Sequence, residues 1–259
     1  MGGLPFEFSY VLKFIPKLAS TLNVTLLIVG GSLLTGLLAG LLAALPRLYR
    51  IPVLEQLSKA YASFFRGTPI LIQLFLFYYG LPEVLKWIGI DVSKTPVLVF
   101  VILTYGLHTG AYVSETIRAS ILAVDRGQVE AAYSIGMRGH QAFARIVAPQ
   151  ALAIAVPVFS NMILALLKDT SLAFTLGVME MTGKAQTLAS LTQHFFEAYL
   201  ALAFVYFVLA FVLEKLLLHG EKRLLRHERG SEAAASKFRL RRRVSLRQLA
   251  AELKGGTPS

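Results

Sequence analysis

Five long apolar runs set the pattern of hydrophobic and polar positions along this chain. A helix needs about 20 apolar residues to cross roughly 30 Å of bilayer hydrocarbon. The predicted spans are Leu18–Pro46, Tyr61–Leu81, Thr95–Ser114, Ile146–Leu167 and Ala198–Leu213, the last extended by the turns around it. The pattern therefore predicts an all-α integral membrane protein with about five transmembrane helices.

Composition agrees with a membrane protein and narrows its chemistry. The chain is 55% hydrophobic and only 16% charged, whereas soluble domains average about 25% charged residues. It contains no cysteine. Disulfides, thiolate metal ligands and thiol redox chemistry are therefore excluded.

Two segments are too short to be ordinary spans. Residues 1–20 are aromatic and carry Lys13 and Lys17, which favours an amphipathic helix at the membrane interface; the alternative is the start of the first span. Thr170–Met179 is apolar and lies between spans four and five. That position predicts a re-entrant or discontinuous helix of the kind that lines a protein-enclosed pathway.

Charged residues interrupt the apolar pattern between spans three and four, at residues 125–150. We call this segment the elbow. Val129–Ile135 predicts a first helix, with good helix formers and no breaker. Gly136 and Gly139 allow a turn, and a second short helix follows until Pro149, which either ends it or opens the next helix. The elbow is therefore predicted to stand in water or to dock on a partner.

The elbow resembles the EAA loop of ABC importer permeases. The match runs through Glu130-Ala131-Ala132 and Gly136-Met137 to Ile146, Pro149 and Gln150. The resemblance implies the type I importer permease fold, in which this loop holds a coupling helix that docks into a groove on a cytoplasmic ATPase subunit. It assigns ATPase coupling to Glu130, Ala131, Ala132, Gly136 and Met137.

Three further stretches resemble the branch of that family that transports polar amino acids. They begin at Arg66-Gly67, at Ala111 and at Lys168-Asp169. The resemblance implies a permease subunit without enzymatic activity or cofactor of its own, with ATP and Mg²⁺ bound by the ATPase partner. The other implied partners are a second permease, identical or related, and an extracytoplasmic amino acid binding protein.

The absence of a nucleotide-binding motif agrees with this division of labour. The sequence contains no G-x-x-x-x-G-K-[ST] loop, and the nearest string, from Gly177 to Lys184, has Ala185 where Ser or Thr is required. A separate subunit is therefore expected to hydrolyse ATP.

Ionisable groups at membrane depth are costly and are candidates for function. Pro69 predicts a kink in span two near Gly67 and Thr68, which frees main-chain groups to bind a polar solute. An acidic side chain could hold an ammonium group. The substrate-pathway candidates are Arg66, Gly67, Thr68, Gln73, Glu115, Lys168, Asp169 and Thr170.

Each charged candidate also has a structural interpretation. Arg66 could be an interfacial residue that extends towards water, and Glu115 could pair with Arg118 one turn away. Lys168 and Asp169 could mark only the outer end of span four. His108 is predicted to donate a hydrogen bond between helices.

Basic residues predict the orientation. Of the 26 Lys and Arg residues, 19 lie on the side of the elbow and C-terminus and six on the other, with Arg66 left aside. The positive-inside rule then puts the elbow and C-terminus in the cytoplasm and the N-terminus outside. The excess over 15 acidic residues suits this topology and anionic lipid rather than nucleic acid.

The predicted organisation has three parts: an interfacial helix at 1–20, a transmembrane permease domain at 21–220 and a basic cytoplasmic tail at 221–259. The tail is predicted to be solvated, or else to form a basic helix over Leu240–Leu253 on anionic lipid. Five spans enclose only half a pathway, so a dimer in a bacterial inner membrane is expected.

Two other functions remain open at this point. An ion-coupled secondary transporter would use Glu115 and Asp169 as relay carboxylates, although the chain is short for that class and has no internal repeat. A membrane anchor or receptor without transport activity is the other, and the charges at membrane depth argue against it.

Overall fold

The computed structural model describes residues 5–225. The helices are α1 (Phe8–Ala19), α2 (Leu22–Leu48), α3 (Pro52–Gly67), α4 (Ile70–Trp87), α5 (Val97–Leu122), α6 (Arg126–Ser134), α7 (Gly139–Leu176), α8 (Met181–Thr192) and α9 (Phe195–Leu224). The predicted tail helix at Leu240–Leu253 lies outside the described residues. In this part of the chain the all-α prediction is confirmed.

Four helices, α2, α5, α7 and α9, are long and apolar enough to cross a membrane. The pair α3 and α4 forms a fifth crossing if it is counted as one broken span. The prediction of about five spans is therefore confirmed; each helix ends later than its predicted span, whereas spans one and three begin two to four residues later than predicted.

Span two is not one kinked helix, as predicted, but two helices that meet at 113°. Thr68 and Pro69 both have extended backbones, with ψ of 144° and 137°. Proline disfavours the helical region for the preceding residue and has no N–H for a helical hydrogen bond. Two consecutive residues leave the helix, so the chain changes direction instead of bending slightly.

Within residues 5–225, the most extensive helix–helix contact joins α2 and α5. Gly36 of α2 faces Gly106 of α5, and a Cβ placed on Gly36 would lie 3.0 Å from the Gly106 carbonyl oxygen. Small residues let two helix backbones approach this closely. Gly40, one turn further along α2, faces the Gly110 carbonyl oxygen in the same way, so this glycine stripe, Gly36 and Gly40, is used for packing within the chain.

Helix α1 is separate from α2 and is held by protein contacts. Val11, Phe14 and Leu18 are buried against residues of α8 and α9. The main-chain N–H of Glu7 donates to Glu197 Oε1 of α9 at 2.9 Å. The opposite face of α1 is exposed, so the helix is amphipathic as predicted and is not the start of the first span.

Of the two alternatives predicted for Thr170–Met179, the structure has the discontinuous helix. Thr170–Leu176 extends α7 as tight 3₁₀ turns, and the chain turns at Gly177, whose φ is +82°. Helix α8 then begins at Met181. The discontinuity falls within the predicted segment, because Gly177 supplies the left-handed conformation that ends the helix.

Candidate functional site

The first helix of the elbow, α6, is fixed at its start by Asp125. The Asp125 Oδ1 atom accepts the Gly127 N–H at 2.8 Å, as an N-cap residue does. This cap starts α6 at Arg126, three residues before the predicted start at Val129. The whole of Glu130–Ala132 therefore lies inside a helix.

The end of α6 is a Schellman turn centred on Gly136. The Met137 N–H donates to the Ala132 carbonyl at 3.1 Å, and the Gly136 N–H donates to the Tyr133 carbonyl at 2.9 Å. Gly136 has a φ of +83°, as this motif requires. Gly139, also predicted to form the turn, instead begins α7 and does not have a positive φ.

The second half of the elbow is the start of span four itself. Helix α7 runs from Gly139 to Leu176, so Pro149 does not end it; Pro149 lies in the first turn of the α-helical stretch Ala148–Asp169 within α7. Phe143–Val147, which ends two residues before Pro149, forms a π-helical turn, and the Ala148 N–H donates to the Phe143 carbonyl five residues back. Such a turn shifts the hydrogen-bond register and accommodates a proline inside a helix.

The predicted coupling residues differ in exposure. Glu130, Ala131 and Gly136 are exposed, Met137 is half-buried, and Ala132 is only 4% exposed. Ile135, which was not predicted, is 75% exposed. Ala132 therefore packs within the chain, and the face open to a partner includes Ile135.

Gln73, which is fully buried, joins the two helices of span two by hydrogen bonds across the break. Its side-chain amide donates to the carbonyl oxygens of Phe65 at 2.8 Å and Thr68 at 3.0 Å, and Thr68 Oγ1 lies 2.7 Å from the same nitrogen. The His108 ring donates to Gln73 Oε1 across 2.9 Å. The prediction that His108 links helices is confirmed, and Gln73 satisfies carbonyls that the break at Pro69 leaves open.

Glu115 is the centre of an ion-pair cluster that joins three helices. Its Oε2 lies 2.7 Å from Arg47 Nη1 of α2 and 3.8 Å from Arg66 Nη1 of α3, and its Oε1 accepts a hydrogen bond from Arg118. The predicted pair of Glu115 with Arg118 is confirmed. Because three guanidinium groups surround one carboxylate, the net charge of the cluster is positive.

The Lys168-Asp169-Thr170 stretch divides its side chains among different environments. The main-chain carbonyl of Asp169, not its carboxylate, accepts a hydrogen bond from the Tyr105 hydroxyl of α5. Thr170 is buried, and its hydroxyl donates to the Leu167 carbonyl at 2.7 Å. Lys168 is exposed and lines a cavity of about 370 Å³ beside α9 that excludes Asp169.

A second cavity, between α5 and α7, brings several polar groups together. Its volume is about 400 Å³, within the range of small-molecule sites. We call it the α5–α7 cavity. The polar residues that line it are His108, Thr109, Tyr112, Thr116, Asn161 and Asp169. Of the predicted pathway residues, Asp169 lines this cavity directly, while Gln73 and Glu115 lie next to residues that do.

Sequence reasoning missed several of these groups. Asn161 is a polar residue in the middle of span four, and its position alone was a usable signal. Glu180 is fully buried and caps α8 by accepting the N–H groups of Thr182 at 2.8 Å and Gly183 at 2.9 Å. Glutamate is not among the residues preferred at N-caps, so this cap had no clear signal in the sequence.

Known proteins similar to this chain were found by sequence and by structure. A family model described as "Binding-protein-dependent transport system inner membrane component" matches residues 36–226. The L-cystine transport system permease protein TcyL of Bacillus subtilis is 48% identical over 223 residues, which is 86% of this chain and 93% of that protein. The probable amino-acid ABC transporter permease protein PatM of Vibrio harveyi is 42% identical, covering 85% and 96%.

A solved structure also aligns with the fold. The crystal structure of an amino acid ABC transporter with histidines matches with a TM-score of 0.76 and 33% identity. The alignment covers 85% of this chain and 100% of that one. The two chains therefore share the same overall fold.

Proposed function

Because this chain belongs to the family of binding-protein-dependent transport system inner membrane components, we propose that it is the permease subunit of an ABC importer for a polar amino acid. The chain forms the membrane-spanning part of such a system in a bacterial inner membrane, and a separate subunit hydrolyses ATP. The elbow carries this proposal, since an exposed helix joined to a membrane-spanning helix is what coupling to a motor requires.

The substrate class is supported by the relatives and by the α5–α7 cavity. TcyL is named for L-cystine and PatM for amino acids. The cavity offers the Asp169 carboxylate to an ammonium group and hydroxyl and amide groups to a polar solute. We therefore assign the solute pathway to this cavity and to the neighbouring break at Gly67 and Thr68.

Helix α6 is the surface that we assign to the ATPase subunit. Glu130, Ala131 and Ile135 are exposed on it, and the Schellman turn at Gly136 fixes its angle to α7. Ala132 supports the helix from inside instead of contacting the partner. ATP and Mg²⁺ belong to the ATPase subunit, and this chain needs no cofactor.

The remaining partners follow from the same proposal. One chain encloses half of a pathway, so a second permease, identical or related, completes it, and an extracytoplasmic binding protein delivers the amino acid. The elbow and C-terminus lie in the cytoplasm and the N-terminus outside. The positions of the two ends of α2 agree with this orientation. Helix α1 lies before the first residue of α2, whereas Tyr49, just after its last residue, lines a cavity that elbow residues also line.

Cross-linking from single cysteines tests the ATPase contact, and the cysteine-free sequence makes each product unambiguous within this chain. Cysteine at Ile135 is expected to cross-link to the ATPase in the assembled importer. Cysteine at Leu12, which is similarly exposed but lies on α1, is the matched control and should not react with it. Labelling of Ile135→Cys from outside intact cells would contradict both the contact and the orientation.

Reconstitution distinguishes this proposal from an ion-coupled transporter. Uptake is expected only when the ATPase and ATP are present. Uptake by this chain alone, abolished by an ionophore, would contradict the proposal. The engagement of Glu115 by three arginines also argues against its use as a proton relay.

A further inference from the structure

The Glu115 cluster contains one more guanidinium group than its carboxylate can bind closely. Arg47 and Arg118 each take one carboxylate oxygen at hydrogen-bond distance. Arg66 approaches only to 3.8 Å, which is too long for a hydrogen bond. Its side chain is 45% exposed, whereas that of Arg47 is 10% exposed. Arg66 is therefore the member of the cluster that can change partner most readily.

Arg66 also stands next to the α5–α7 cavity. Its guanidinium lies over the ring of Tyr112, 5.6 Å from the ring centre. Tyr112 lines the cavity, as do His108 and Thr116 one turn away on either side. A small movement of the Arg66 side chain from Glu115 past the Tyr112 ring would bring it to the cavity.

Asp169 lines the cavity at one end, and Arg66 lies outside its lining but against the Tyr112 ring further along α5. Asp169 is tied to α5 at Tyr105, while Arg66 contacts α5 at Tyr112, seven residues or about 10 Å further along the helix. A zwitterion has the complementary arrangement, with an ammonium group for Asp169 and a carboxylate for a guanidinium. Guanidinium groups bind carboxylates through two parallel hydrogen bonds.

We propose that Arg66 binds the carboxylate of the transported solute and gives up its ion pair with Glu115 when it does so. The solute carboxylate takes the Arg66 guanidinium beside Tyr112 at the α5–α7 cavity, and Glu115 stays neutralised by Arg47 and Arg118. This inference rests on the proposed amino acid import. It adds a specificity-determining residue, because a solute without a free carboxylate cannot make the exchange.

Equilibrium binding to the purified permease–ATPase complex tests the exchange without the binding protein, which has its own preferences. The probes are the common protein amino acids and L-cystine, each with its carboxylate free or as the methyl ester. In wild type the free acid is expected to bind more tightly than its ester. In Arg66→Gln this acid-to-ester ratio is expected to fall by about 10- to 100-fold, the range for hydrogen bonds to charged groups.

Two further variants make the result specific. Arg118→Gln removes the same charge from the cluster, but its guanidinium is bound to Glu115, so most of the acid preference should remain. Arg66→Lys keeps the charge without the planar pair of donors, so the ratio should fall by a smaller factor. It also serves if Arg66→Gln fails to assemble, which size-exclusion chromatography with the ATPase would reveal.

The outcomes separate this inference from the function on which it rests. An unchanged ratio in the Arg66 variants, or an equal fall in Arg118→Gln, overturns the role of Arg66 while amino acid binding stands. Binding of none of the probes to the wild-type complex overturns the amino acid substrate itself and this role with it.

Discussion

Replacing Gly136 by alanine isolates the conformation of the elbow from its chemistry. No atom lies within 4 Å of a Cβ built on Gly136, so the added methyl group meets no steric barrier. Its φ of +83° is nevertheless unfavourable for any residue with a Cβ. The substitution should therefore weaken the Schellman turn without disturbing packing or membrane insertion.

The size of the effect follows from the backbone alone. A left-handed conformation costs an L-residue about 1–2 kcal/mol, which corresponds to a change of roughly 5- to 30-fold in the ratio of closed to open turn. Gly136→Asn should cost less, because asparagine tolerates this region. A larger residue such as arginine would act through the same backbone strain, since the surrounding space is open.

Hydrogen exchange measured on the assembled importer is the assay. The Gly136 and Met137 amides donate the two hydrogen bonds of the turn, so their peptide should exchange faster by roughly the same 5- to 30-fold in Gly136→Ala. Transport and retention of the ATPase should fall in parallel. Gly139→Ala is the matched control, because Gly139 lies in a helix and its Cβ would meet only Tyr133 Oη at 3.9 Å.

Equal exchange rates in Gly136→Ala and Gly139→Ala would refute this reasoning, because the two substitutions differ only in the backbone conformation they demand. Faster exchange with unchanged transport would confirm that Gly136 stabilises the turn but would show that coupling to the ATPase does not depend on it.

Three other substitutions follow from packing, hydrogen bonding and charge. Gly36→Leu should separate α2 from α5 and lower the thermal unfolding temperature in detergent, whereas Gly30→Leu, at a position with nothing within 4 Å, should not; equal loss in both would contradict the packing. Gln73→Leu should cost about 1–3 kcal/mol, because it leaves buried carbonyl groups at the break unpaired; an unchanged midpoint in chemical unfolding would mean that these hydrogen bonds are unimportant. Asp169→Asn should weaken uptake by tenfold or more, on the order of one lost charged hydrogen bond, while Lys168→Gln, which lies outside the α5–α7 cavity, should leave uptake near wild type; the reverse order in radiolabelled uptake would move the pathway.

The spans and the elbow were predictable because their signals are local. Apolar length defines a span wherever it occurs, and Gly136 and Pro149 act on the backbone within a few residues; the cap at Asp125, also a local signal, was missed. Pro149 was predicted either to end a helix or to open the next one; it opens the α-helical stretch Ala148–Asp169, directly after the π-helical turn.

The break in span two and the ion-pair cluster could not be read from local sequence in the same way. Pro69 indicates an interruption, but the 113° angle between the two helices and the contact of Gln73 with His108, 35 residues away, are not visible in the local sequence. Glu115 was correctly paired with Arg118 one turn along the helix, whereas Arg47 comes from 68 residues earlier in the chain. Contacts between residues so far apart in the chain depend on the register in which α2 packs on α5. The glycine stripe indicates that the two helices pack closely, but it does not indicate which residues lie opposite each other.

The continuity of α7 makes it a lever with unequal arms. The 22-residue stretch Ala148–Asp169 is about 33 Å long at 1.5 Å per residue, while the arm on the elbow side of the π turn, Gly139–Ala142, spans a single helical turn. A tilt of about 5° at the π turn would displace Asp169 by about 3 Å, roughly the length of one hydrogen bond. With α5 fixed in place, this tilt would therefore break the hydrogen bond between Tyr105 and the Asp169 main-chain carbonyl.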